Sequence, residues 1–285
     1  MTDCSEEDIG NILLLEHVNL QVPDQSLATL FYVVGLGLTR DPFLNVGLEN
    51  MWVNAGEQQF HLPTRRAQVL QGRIGLVFPE LDGLKRRLAS VGERLKGTRF
   101  AWAEGEGRVS VTCPWGNRFE CHAAGAEFDD MALGIPWVEF RVAVGNAAGI
   151  ARFYERVLGA KCALDSGRGG DVARVRIGRN QQLVFTEADG PPGAYDGHHI
   201  AIYVANFSGP YGFLKERGLI SEDVRNHQFR FQEIVDPESG KALFTVEHEV
   251  RSLRHPMFHR ALVLRNPEQT TRSYRRGHDR LVPFR

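Results

Sequence analysis

The sequence predicts an α+β protein of four βαβββ modules, and three observations carry that reading. The first is internal repetition: Phe31-Tyr32 with Leu36-Gly37 recurs as Phe153-Tyr154 with Leu158-Gly159, each pair 122 residues on. The second is a further block, in which Arg73, Gly83, Leu88 and Gly92 stand 126 residues before His199, Gly209, Leu214 and Gly218. The third is spacing, since strand-like runs at positions 17, 73, 139 and 199 divide each repeat of about 125 residues in two.

Within each module an alternating apolar strand leads into a helical stretch. The pattern is clearest over Asn146 to Leu158, where Ile150, Phe153, Tyr154 and Val157 recur at helical spacing. Phe31, Tyr32, Phe153 and Tyr154 are read as core residues that hold helix to sheet. Short strands follow, broken by turn sequences such as Glu104 to Gly107, Gly167 to Gly170 and Asp236 to Gly240. The glycine-containing stretches do not lead from a strand into a helix, so they read as hairpin turns and not as phosphate cradles. A linker near Ala123 to Ile135 separates the halves. Residues 251–285 form an extension in which nine Arg face only Glu268 and Asp279, expected to pack over the domain as stems and charges.

Composition narrows the function. The chain has 285 residues, 42% hydrophobic and 24% charged, with a formal charge of −1, which suits a soluble globular protein and argues against nucleic-acid or anionic-lipid partners. A small-molecule partner fits better. The apolar stretches fall short of the ~20 residues needed to span a bilayer, and the acidic start has no signal-peptide core. A cytoplasmic location is expected. Cys4, Cys113, Cys121 and Cys162 show no Cys-x-x-Cys spacing, so reduced, unpaired thiols are expected. Nothing here fixes an oligomeric state.

A tandem of about 60-residue βαβββ modules with a Phe-Tyr, Leu-Gly helix resembles the vicinal oxygen chelate superfamily (glyoxalase, bleomycin resistance, extradiol dioxygenase) over residues 13 to 250. The segment Val246 to Ser252 with His255-Pro256 is similar to uncharacterised bacterial members. The resemblance implies modules paired into two glyoxalase-like domains, 1–124 and 125–250. It also implies a divalent ion, Fe(II), Mn(II), Ni(II) or Zn(II), held by first- and last-strand residues. Two functions then stand: a metal-dependent enzyme of extradiol-dioxygenase or glyoxalase type acting on a small molecule with vicinal oxygens, or a metal-free binding protein of the bleomycin-resistance type.

Carried onto this sequence, the first-half positions are His17, Gln59 or His61, Arg73 and Glu120; the second-half positions are Glu139, Gln182 or Val184, His199 and Glu247, with Glu249 as a rival. Arg73 is a fixed cation and repels a metal, which favours Glu139, His199 and Glu247. The second choice is His17, His61 and Glu120. His227 lies where the ring-cleaving members carry a second histidine, a candidate general acid or base. Glu139 replaces their histidine, and Phe229 to Val235 lacks their tyrosine, which counts against ring cleavage. Glu16 and His198, next to candidate ligands, are expected to turn away into solvent.

Overall fold

The computed structural model describes residue 4 and residues 7–41, 49–129, 131–167, 170–190 and 193–260. Four βαβββ modules follow one another as read from the repeat. The first holds β1 (Ile12–Asn19), α1 (Gln25–Ala28) continuing as a π-helical segment over Thr29–Gly35, β2 (Thr39–Arg40), β3 (Asn50–Ala55) and β4 (Gln58–Pro63). The second holds β5 (Gly72–Phe78), α2 (Leu81–Val91), β6 (Ala101–Gly105), β7 (Arg108–Thr112) and β8 (Arg118–Ala123). The third holds β9 (Trp137–Val142), α3 (Ala147–Arg156), β10 (Cys162–Gly167), β11 (Gly170–Arg176) and β12 (Gln182–Glu187). The fourth holds β13 (His199–Val204), α4 (Ser208–Glu216), β14 (Ile220–Arg225), β15 (Gln228–Val235) and β16 (Ala242–Ser252). Local chemistry starts the helices: Asp24 accepts from the backbone N–H groups of Ser26 and Leu27, and Glu80 from that of Gly83.

The modules form two eight-stranded sheets, each built from two modules. The first sheet runs β14-β15-β16-β13-β1-β4-β3-β2, joining module one to module four; the second runs β10-β11-β12-β9-β5-β8-β7-β6, joining module two to module three. The sheets therefore do not follow the 1–124 and 125–250 division. In each sheet the seam is a pair of first strands, β1 against β13 and β5 against β9, both antiparallel.

The halves survive as packing units. Phe31 of the first helix and Phe60 and Phe119, from opposite sheets, cluster with ring centroids 5.8 Å (Phe31–Phe119) and 5.9 Å (Phe60–Phe119) apart. In the second half Phe153 meets Phe231 of the first sheet at 5.8 Å and Tyr154 meets Phe185 of the second at 5.5 Å. Each half thus buries its helices between the two sheets, while each sheet ties the halves together. All four residues of the repeated Phe-Tyr pairs are fully buried, as read.

The β5–β9 seam depends on Gly72, where an added Cβ would lie 1.7 Å from the Glu139 carbonyl oxygen. Gly72→Ala is expected to lower stability by roughly 1–3 kcal/mol, the usual cost of overpacking, read by urea denaturation; an unchanged midpoint would contradict this seam. Of the extension, residues 251–260 are described and fold back on the first sheet; the rest of that expectation falls outside the described residues. Cys113 and Cys121 are buried, and no disulfide joins the cysteines of the described residues. No helix among the described residues is long and apolar enough to cross a membrane.

Candidate metal centre

Strand alternation divides the first sheet into a polar and an apolar face. Val18, Phe60, Ile200, His248 and Val250 turn toward the helices and are fully buried. Tyr154 and His248 are hydrogen-bonded there at 2.6 Å, and burial pushes the His248 imidazole down to about 4. On the opposite, concave face stand His17, Asn19, His61, His199, Glu247, Glu249 and Arg251. The segment Val246 to Ser252 thus alternates between core and site.

The register brings three histidines together. Across the β1–β13 seam His17 is opposite Ala201 and Asn19 is opposite His199, so His17 and His199 occupy equivalent places about a local two-fold axis. In the flanking strands Asn19 pairs with His61 and Ala201 with Glu249, so these two are equivalent in turn. The ligand atoms of His17, His61 and His199 lie within 4.8 Å of one another, the one such group of three among the described residues. The Nε2 atoms of His17 and His199 are 3.4 Å apart, and Glu249 Oε2 is 3.8 Å from His199 Nε2.

His17 and His61 are each held by a neighbour, which decides the nitrogen they offer. Glu16 Oε2 lies 2.5 Å from His17 Nδ1, leaving Nε2 to face the cluster. Asn50 Oδ1 is 2.7 Å from His61 Nε2, which places the proton there and leaves Nδ1 as donor. His61 also stacks on Trp52, centroids 3.9 Å apart. Burial, followed by the proximity of His17, holds His61 and His199 well below the usual imidazole range. Both are neutral, as a ligand must be.

Around the histidines runs a chain of alternating charge, buried at Glu16, Glu249 and Arg251 and half-buried at Arg230 and Glu247. Arg251 donates to Glu16 at 2.8 Å and also pairs with Glu249. Arg230 pairs with Glu249 and, at 2.6 Å, with Glu247. Burial alone would raise the Glu16 carboxyl, but Arg251 and His17 outweigh it and bring it down to about 2. Beside the cluster the buried Asn19 Oδ1 has no hydrogen-bond partner among the described residues.

The two expected sets are regrouped. Glu139 stands in the second sheet, where it pairs with Arg73 at 2.5 Å and accepts from Thr186 at 2.9 Å; Glu120 lies in the same sheet, 3.6 Å from Arg73 and 3.2 Å from Arg108. Glu139, His199 and Glu247 therefore do not converge, and neither do His17, His61 and Glu120. Module pairing is the cause: first-half His17 and His61 meet second-half His199, and Arg73 meets Glu139 as its direct register partner. Arg73 pairs with Glu120, as expected, and has Glu139 as its closer partner.

Three further expectations change. Glu16 and His198 are buried, at 6% and 2% exposure, and not solvated. A register shift between Leu15 and His17 turns Glu16 to the side of His17, while His198 is held by Asp196 at 2.7 Å. His227 is exposed, with a φ of 65°, in the tight turn between β14 and β15, outside the histidine cluster. Glu247 lies 3.5 Å from His199 Nδ1, on the side of the ring away from His17. Sequence reasoning missed Asn19, Arg230 and Arg251 as members of this site; alternation could have found Asn19 beside His17 and Arg251 beside Glu247 and Glu249, whereas Arg230 enters only through its pairing with Glu249 across strands.

No family model and no curated protein matches this sequence. Among solved structures it is similar to glyoxalase I from Zea mays, 16% identical with a TM-score of 0.58 over 88% of this chain and 95% of that one. It is also similar to a Bacillus subtilis protein described as a dioxygenase, 17% identical with a TM-score of 0.55 over 85% and 86%.

Proposed function

We propose, from the vicinal oxygen chelate fold that these likenesses show, that the chain is a metal-dependent enzyme acting on a small molecule with two neighbouring oxygens. One observation carries the reading: three inward imidazoles, two of them kept neutral, with ligand atoms within 4.8 Å of one another. Such a donor set suits a divalent transition metal, Fe(II), Mn(II), Ni(II) or Zn(II). His17 would offer Nε2, His199 Nε2 and His61 Nδ1, and Glu249 is the carboxylate nearest to the set. A bound ion supplies Lewis-acid polarisation of neighbouring substrate oxygens.

The remaining work belongs to the chain itself. Glu16 fixes the His17 tautomer, and Arg251 keeps Glu16 ionised so that it can do so. Trp52 and Asn50 hold the His61 ring from its face and its edge. Asn19 Oδ1 accepts a hydrogen bond from a substrate hydroxyl or water. The Arg230 guanidinium, bound to Glu247 and Glu249, leaves the site's carboxylates balanced by cations, so that bound ligand does not meet uncompensated negative charge.

The test is metal content of protein purified without chelators, then loaded with each of the four ions. About one ion per chain is expected. None retained after loading would remove the enzyme reading and favour the metal-free binding protein. Glu139→Gln, in the second sheet, is expected to leave that stoichiometry unchanged; loss of the ion in this variant would move the centre to the Arg73 cavity.

A further inference from the structure

The eight residues after β16, 253–260, turn back over the concave face beside the histidines. Tyr203, two residues beyond Ala201 on that face, packs against Phe258 at 4.9 Å and His255 at 6.1 Å. The strap ends in an ion pair, Arg260 to Asp41 at 2.5 Å, whose side chains are 3% and 0% exposed. Asp41 also accepts from Gln59 Nε2 at 2.8 Å, and Gln59 is the register partner of His17. The pair therefore ties the end of the described chain to the strand that carries His61.

Beneath the strap lies a cavity of about 220 Å³, with Glu16, Gln59 and Tyr203 on the sheet side and Met257 and Arg260 on the strap side. That is smaller than the ~300–1,000 Å³ usual for ligand pockets, and one of its walls is the carboxylate bound to His17. We propose that the strap is the wall that sets the size of ligand admitted to the His17 side of the centre, and that Asp41–Arg260 is its lock. A strap seated this closely admits only a compact ligand, and a larger one requires the lock to open. Removing one charge ends the attraction across the pair while the other still bears the cost of burial, which favours release of the strap.

The proposal concerns the same site as the metal reading, but its test uses metal-free, full-length protein, so failure of one is distinguishable from failure of the other. The probe is diethyl pyrocarbonate, with modification rates at individual histidines read by peptide mass spectrometry. Asp41→Asn and Arg260→Gln are each expected to raise the rate at His17 roughly tenfold or more, as local opening does, while His122 in the second sheet keeps its wild-type rate. Met257→Ala, which widens the cavity and leaves the lock intact, is expected to raise the His17 rate less. An unchanged His17 rate in both lock variants would overturn the proposal. So would equal acceleration at His17 and His122, because the pair would then only stabilise the fold.

Discussion

His17→Ala, His61→Ala and His199→Ala are each expected to lose the metal, although the first two residues belong to the first half of the chain and the third to the second. Each substitution removes one of three imidazoles that meet across a single seam. The loss in affinity should exceed the roughly 10–100-fold that removal of an outer-shell partner costs. Glu16→Gln supplies that lesser case: an amide still reaches His17 Nδ1 but no longer favours one tautomer, so affinity falls within that range and the ion remains bound at high concentration. Competition against a chromogenic chelator measures all four variants. A His199 variant that binds as tightly as wild type, beside inactive His17 and His61 variants, would dissolve the cross-half assembly.

Arg251→Met is expected to cost roughly 3–5 kcal/mol of stability, the range for breaking a buried ion pair. This is a large share of the ~5–15 kcal/mol that holds a typical domain together. Arg251 is 7% exposed and lies between Glu16 and Glu249, so its removal leaves two buried carboxylates facing each other's charge. Neutralising them, in Arg251→Met with Glu16→Gln and Glu249→Gln, should recover much of the loss. The same network makes the protein acid-sensitive. Glu16 titrates at about 2 in the folded chain against an ordinary 4.5, so its stabilising contribution is complete above pH 4.5. It is lost as pH falls from there through about 2, and on linkage it amounts to a few kcal/mol. Denaturant unfolding of wild type at pH 7, 4 and 2.5 should show that fall, and Arg251→Met should show less of it. A variant within 1 kcal/mol of wild type at pH 7 would mean that the carboxylates find other partners.

Much of the architecture was legible because it is local. The repeat located all four first-strand positions, His17, Arg73, Glu139 and His199, and the repeated Phe-Tyr pair at helical spacing placed Phe31, Tyr32, Phe153 and Tyr154 in the core. Which modules share a sheet is a long-range choice on which alternation is silent, and the pairing within halves is what the resemblance implied. The charge of Arg73 bears only on the cavity Arg73 occupies, and that cavity also holds Glu139. A sharper signal lay in the same four residues: Arg73 complements Glu139, and His17 matches His199, which is the pairing the seams adopt. Glu16 was misread for a different reason, since a register shift breaks the alternation on which its orientation was judged.

A metal centre built by modules one and four should be visible by anomalous diffraction from a crystal loaded with Zn(II) or Mn(II). The predicted result is one strong peak in contact with His17, His61 and His199. A peak beside Glu139 and Glu120 in the second sheet, with none among the three histidines, would contradict it.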